Sequence, residues 1–316
     1  RPEKNKFIAL KEAYHGDTIG AVSVGGINLF HETYKPLLFD AIRLDSPNAH
    51  KQPMDTDLKE AELHIIRKME KAVRQHADEA AAFIIEPLIQ GAGGMITAPK
   101  GYLQEASRIC KECDVLLIAD EVATGFGRTG KMWACEHEGV TPDLMAIAKG
   151  ITGGVLPLAA TLAKEKIYEA FLGNYGSLRT FFHGHTYTGN PIACAAAIAN
   201  LEIFEEEKTL EKLQGKINLL IEELDQIRSQ PHVGDIRQCG FMVGIEMIEN
   251  KETKAPYPFE QRIGHQIALE ARKRGLAIRP LGDVVVLMPP LTTPDEVLRE
   301  ILRTTRESIN AIVGNK

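Results

Sequence analysis

Three short apolar runs each end in an ionisable residue. Residues 82–85 run into Glu86-Pro87, 115–119 into Asp120-Glu121, and 144–148 into Lys149-Gly150. Runs of this kind, almost uninterrupted by polar residues and separated by helical patterns, read as strands buried on both faces of a parallel sheet. In an open sheet of that type, ligands collect beyond the carboxyl ends of the strands. Glu86, Asp120 and Lys149 would then share one edge of the sheet. A carboxylate and an amine at neighbouring strand ends have two readings. One is a structural ion pair. The other is a site for pyridoxal 5′-phosphate (PLP), where a lysine amine forms a Schiff base with the cofactor aldehyde. A carboxylate there keeps the pyridine nitrogen protonated, so that the ring accepts electrons. Lysine suits the task because partial desolvation and nearby positive charge make its amine neutral.

The rest of the chain supplies elements to position these ends. Residues 7–10 read as another short strand, and 158–162 as a further one. The pattern over 58–76 predicts an amphipathic helix with Leu58, Ala61, Leu63, Ile65, Ile66, Met69 and Val73 on its apolar side. A second helix is expected over 101–113. Asn190 is a good N-cap and Pro191 fits the first helical position, which opens a helix through Ala195, Ala196, Ala197 and Leu201 to Glu206. Another helix covers 210–229. Beyond it the pattern changes: strands at 233–237 and 242–247, a helix at 261–274, strands at 276–278 and 284–288, and a last helix at 294–312. This is an α+β unit of about a hundred residues, an ordinary size for a small domain. The expected division is a large domain, 1–206, and a small one, 207–316.

Bulk properties exclude several functions. A net charge of −6 leaves no basic excess to meet nucleic acid or an anionic membrane. No run of about 18 apolar residues is present to span a bilayer. The five cysteines, an odd and sparse set, suggest reduced thiols in a cytoplasmic protein. Cys110 and Cys113 form a CxxC without a second ligand pair, inside a predicted helix, so they read as helix residues rather than zinc ligands. His183 and His185 flank Gly184, but no carboxylate motif completes a metal site.

The stretch DEVATGFGRTGKMWACEHEGVTPDLMAIAKGITGG, residues 120–154, resembles the core signature of class III (ω-type) aminotransferases of PLP fold type I. An Asp-Glu pair follows an apolar strand, then come a glycine-arginine turn, Pro-Asp, and a strand ending in Lys-Gly. The resemblance covers essentially the whole chain. It implies an α/β large domain with a mainly parallel sheet, its N-terminal part absent, and a smaller C-terminal α+β domain. YHGDTIGAVSVGG (14–26), FFHGHTYTGNPIACAAA (181–197) and IRPLGDVVVLMPPL (278–291) are similar to one branch of that family. That branch aminates 8-amino-7-oxononanoate to 7,8-diaminononanoate in biotin synthesis, with S-adenosylmethionine or lysine as amino donor.

The resemblance also implies roles. Tyr14 would lie beside the PLP ring, where an aromatic can stack, with His15 and Gly16 shaping the same wall. Asp120 would pair with the pyridine nitrogen, and Lys149 would be both the PLP lysine and the proton carrier. Gly184, His185 and Thr186 would reach the cofactor phosphate of the other subunit in a homodimer, the glycine allowing close approach. Tyr14 and Gly184 would also border the substrate. Arg279, amid apolar residues, would bind the substrate carboxylate with two parallel hydrogen bonds. Arg128 would either line the donor side of the pocket or brace its turn. Glu86 is expected to support the site from behind. The family's small-residue phosphate loop, and an N-terminal aromatic segment, are expected to precede the first residue of this stretch. Two rival readings share the same residues: another class III enzyme acting on ornithine, 4-aminobutyrate or a related ω-amine, and a catalytically inactive binding protein on the same fold.

Overall fold

A computed structural model describes residues 1–49 and 57–314. The chain begins with β1 (Lys6–Leu10), α1 (Ile19–Val24), α2 (Asn28–His31), β2 (Ile42–Leu44) and α3 (Leu58–Gln75). It continues through β3 (Ala80–Ile85), the short hairpin strands β4 (Ile89–Gln90) and β5 (Ile96–Thr97), α4 (Tyr102–Glu112), β6 (Leu116–Asp120) and β7 (Leu144–Ile147). Then come β8 (Ala160–Ala163), α5 (Glu165–Glu169), α6 (Pro191–Glu206) and α7 (Thr209–Arg228). The last part holds β9 (Val233–Cys239), β10 (Met242–Met247), α8 (Ile263–Lys273), β11 (Arg279–Leu281), β12 (Val284–Leu287) and α9 (Asp295–Val313).

The first sheet has the order β2-β1-β3-β6-β7-β8, and all its pairings are parallel except β7 with β8. Residues 158–162 were expected to extend the parallel set. Instead β8 runs back along β7, with Leu144 opposite Ala163 and Ile147 opposite Ala160. Residues 148–159 link the two strands and hold one tight turn, Lys149–Thr152, followed by Gly153-Gly154 and extended chain. A parallel return needs a crossover of a dozen or more residues, usually helical, and this link holds no helix beyond that turn.

α3 and α4 lie side by side and cover one face of this sheet. Asp57 caps α3 by accepting hydrogen bonds from the amides of Lys59 and Glu60. Its buried residues are Ala61, Ile65, Met69 and Val73, a strict four-residue ladder. Leu58 and Leu63, expected on the apolar side, fall off that ladder and are exposed. Phe83, Ile85, Leu117 and Ala119 from the sheet complete the core with Leu103, Ala106 and Ile109 of α4. Cys110 lies in this same core, and Cys113 is the C-cap of α4.

A separate core lies in the C-terminal part. There the antiparallel sheet β11-β12-β10-β9 packs against α7, α8 and α9. The strand expected at 276–278 begins later, at Arg279. Gly275, at φ +87°, ends α8, and the Leu276 amide turns back to donate to the Ala271 carbonyl. Residues 276–278 therefore complete the helix exit, and pairing with β12 starts where Arg279 meets Val286. No helix among the described residues is long and apolar enough to cross a membrane.

Candidate active site

Four adjacent parallel strands, β1, β3, β6 and β7, end at the same edge of the large sheet. Tyr14 and His15 follow β1, Glu86 follows β3, Asp120 closes β6 and Lys149 lies just past β7. The strand order thus assembles residues that lie far apart in sequence.

Asp120 and His15 form a buried pair. Asp120 Oδ2 lies 2.7 Å from His15 Nδ1, with side chains 8% and 2% exposed. Asp120 Oδ1 accepts the Val122 amide at 3.1 Å. His15 Nε2 is buried and has no hydrogen-bond partner among the described residues. Behind this pair stands Glu86. Its Oε1 accepts the Tyr14 amide at 3.1 Å and its Oε2 the Gly91 amide at 2.9 Å. Burial pushes the Glu86 carboxyl up to about 7, opposed by His15 and the two amide donors and aided by Asp120. Tyr14 is half-buried, stacks at 6.4 Å and 13° on the buried ring of His31, and donates its hydroxyl to Asp17 at 2.7 Å.

Lys149 is exposed and makes no hydrogen bond or ion pair with a described residue. Its backbone sits at φ +47°, in the left-handed region that costs a non-glycine residue on the order of 1 kcal/mol. Glu12, Leu88, Met95 and Phe126, in the loops after β1, β3, β4 and β6, share that left-handed conformation. Backbone strain of this sort persists where surrounding structure enforces it, commonly at functional sites. Two contacts enforce it at Lys149. A β-carbon at Gly150 would come within 2.6 Å of Phe126, so only glycine fits after the lysine. The Asn200 side chain, on α6, donates to the carbonyls of Gly150 at 2.9 Å and Ile151 at 3.2 Å.

The remaining expected residues lie elsewhere. Gly184, His185 and Thr186 are exposed, and the His185 amide and ring bond only to Thr188 and Tyr187. Arg279 is exposed at the start of β11 and pairs with no described carboxylate. Arg128 links its turn to the C-terminal part: its guanidinium donates to the Pro289 carbonyl at 2.6 Å, and its own carbonyl accepts the Phe241 amide at 2.9 Å. Burial lowers the pKa of that guanidinium.

Three supporting residues were not singled out in these roles by the sequence. Glu121 is fully buried and accepts from Thr124 Oγ1 at 2.6 Å and from the amides of Ala134 and Cys135 at 3.1 and 2.9 Å. It ties down the turn that follows Asp120. His15 was read as part of a wall and is the direct partner of Asp120. Asn200 looked like an ordinary helix residue. Only the Asp-Glu adjacency after an apolar strand signalled Glu121; Asn200 had no local signal.

The donor set fits PLP. A buried carboxylate with free lone-pair capacity suits a protonated pyridine nitrogen, an unpaired amine suits an aldehyde, and a half-buried tyrosine suits a flat ring.

Residues 1–309 match the family described as aminotransferase class-III. The chain is 49% identical over 315 residues to an adenosylmethionine-8-amino-7-oxononanoate aminotransferase of Geobacter sulfurreducens, covering 99% of this chain and 70% of that protein. It is 51% identical over 309 residues to the protein of the same name from Nitratidesulfovibrio vulgaris, covering 98% of this chain and 57% of the other. A crystal structure of the Methanocaldococcus jannaschii protein of that name superposes with a TM-score of 0.91 at 43% identity, over 98% of this chain and 69% of that one.

Proposed function

From the premise that this chain belongs to the class III aminotransferases, which are PLP-dependent transaminases, we propose that it transfers an amino group to 8-amino-7-oxononanoate, giving 7,8-diaminononanoate for biotin synthesis. The observation that carries the reading is the placement of Tyr14, His15, Glu86, Asp120 and Lys149 at the ends of four adjacent strands, in a chain about half identical to relatives named for that reaction. The relatives' names also favour S-adenosylmethionine as amino donor over lysine. Five free thiols favour a cytoplasmic setting.

PLP supplies an aldehyde to carry the amino group and a ring that accepts electrons. In this reading Lys149 Nζ tethers the cofactor and carries a proton at the reacting carbon. Asp120 holds the charge that keeps the pyridine nitrogen protonated, and His15 keeps Asp120 oriented. Tyr14 and Gly16 border the ring. Gly184, His185 and Thr186 serve the phosphate of a second copy in a homodimer. Arg279 binds the carboxylate at the far end of the acceptor, and its lack of an internal partner leaves it available. Tyr14 and Gly184 flank the substrate, and Arg128 orders the wall on the donor side. We divide the chain into a large domain, 1–206, and a small one, 207–316; the two separate cores and the break between α6 and α7 support this.

The test is a panel of half-reactions on full-length protein with S-adenosylmethionine, lysine, ornithine and glutamate as donors, followed by 8-amino-7-oxononanoate as acceptor. The reading expects 7,8-diaminononanoate after S-adenosylmethionine. Amination of 2-oxoglutarate by ornithine or 4-aminobutyrate, with 8-amino-7-oxononanoate ignored, would replace it.

A further inference from the structure

Arg237, on β9 of the C-terminal sheet, has a side chain only 3% exposed, yet two of its hydrogen bonds leave that sheet. Nε donates to the Met95 carbonyl at 3.0 Å, and one terminal nitrogen donates to the Gly94 carbonyl at 2.9 Å. The other terminal nitrogen pairs with Asp235 at 2.9 Å and with Glu246. Asp235 and Glu246 face each other across the β9–β10 pair, so the cation is held from its own side by two carboxylates. A guanidinium offers five donors in one fixed plane, which lets it span two carboxylates and two carbonyls together.

The loop it grips, 91–95, leads back to the site. The amides of Gly94 and Met95 both donate to the Gly91 carbonyl, at 3.2 and 3.0 Å, closing the loop into one turn. The Gly91 amide then donates to Glu86, which also accepts the Tyr14 amide. At Gly93 a β-carbon would press on the Glu12 carbonyl, so the loop also lies directly against the exit of β1. An unbroken path of short contacts therefore joins the C-terminal sheet to the residue proposed to border the ring.

We propose that Arg237 is a positioning residue: by gripping loop 91–95 it fixes Glu86, and through Glu86 the Tyr14 backbone, tying the proposed cofactor site to the placement of the C-terminal domain. The inference rests on the functional reading above only for its catalytic consequence. A residue that merely stabilised its own sheet would satisfy Asp235 and Glu246 and would not aim two donors at carbonyls of another sheet's loop.

The test uses full-length holoenzyme and the variants Arg237→Lys and Arg237→Gln. Hydrogen exchange followed by mass spectrometry should speed up by roughly tenfold or more at Gly91–Met95 and at Tyr14, as expected from losing charge-assisted bonds. Backbone amides within the β9–β10 pair, such as those of Met242 and Gly244 opposite Cys239 and Arg237, should keep their protection. Unchanged exchange at Tyr14, or deprotection spread through β9 and β10, would overturn the proposal. The second arm is a double-mutant cycle with Glu86→Gln, which cuts the path at its next link. The fall in kcat caused by Arg237→Lys should largely vanish in the Glu86→Gln background. Equal falls in both backgrounds would show that Arg237 does not act through Glu86. The exchange arm needs no turnover, so failure of the functional reading is distinguishable from failure of this one.

Discussion

The strand-end loops and the stretch around 181–192 both carry residues assigned to the cofactor, but they are built in opposite ways. At the strand ends, His15, Glu86 and Asp120 are buried and hold one another or nearby amides within one chain. In the second region Gly184, His185 and Thr186 are exposed, amid Phe181, Phe182, Tyr187 and Ile192 at 61%, 78%, 70% and 71% exposure. Large apolar side chains clustered at such exposure suit the partner-facing role proposed for this stretch. The contrast is what the proposed site, shared between two copies, would require. In that proposal the carboxylate and amine come from one chain, and the phosphate contacts come from a partner.

Substitutions in the first region should do most damage. Lys149→Ala should abolish turnover while thermal unfolding stays near that of the parent, because the amine is lost from an exposed position; normal turnover would end the reading. Asp120→Asn keeps the shape and loses the charge, so kcat should fall on the order of a thousandfold with cofactor still bound. A rate near the parent's would make Asp120 a structural partner of His15 only. Arg279→Ala should raise the KM for 8-amino-7-oxononanoate roughly 30- to several-thousand-fold, from about 2–5 kcal/mol for truncating one partner of an ion pair that the bound acceptor would desolvate. Unchanged acceptor kinetics would remove Arg279 from the site.

The second region is probed by complementation. Thr186→Ala should weaken cofactor affinity roughly 10- to 100-fold, the scale of one hydrogen bond to a charged group. Mixing Thr186→Ala chains with Lys149→Ala chains should restore activity, since one site of each mixed dimer then carries neither change. No gain on mixing would mean that Thr186 serves its own chain. The smallest effect concerns Glu86 in the cofactor-free protein. Its carboxyl is raised from 4.5 to about 7, so it contributes stability that is full below 4.5 and lost as pH rises through 7, about 3 kcal/mol in all. Denaturant unfolding at pH 5 and pH 8 should therefore show a smaller pH dependence in Glu86→Gln than in the parent. Equal slopes would mean that Glu86 is not buried in this way.

Much of the first region was legible in the sequence for a physical reason. A doubly covered strand must be apolar along its length, so its end is marked by the first charged residue, and Glu86, Asp120 and Lys149 stand at those points. The direction of β8 was not legible, because its apolar run looks the same whether it pairs parallel or antiparallel; the link after β7, which holds no α-helix, decides. β2, α1 and α2 are too short to impose a period. The roles of His15, Asn200 and Arg237 depend on partners 105, 50 and about 142 positions away, and no local pattern encodes such contacts. The exposed second region was legible only through family resemblance, since nothing in a single chain fixes what covers it.

The central claim is that Lys149 is the residue that carries the cofactor. Full-length protein loaded with PLP, reduced with borohydride and digested, can be mapped by peptide mass spectrometry. The account expects one phosphopyridoxyl mass increment, on the peptide containing Lys149, and none there in Lys149→Ala. Attachment at a different lysine, or no attachment in the parent, would contradict it.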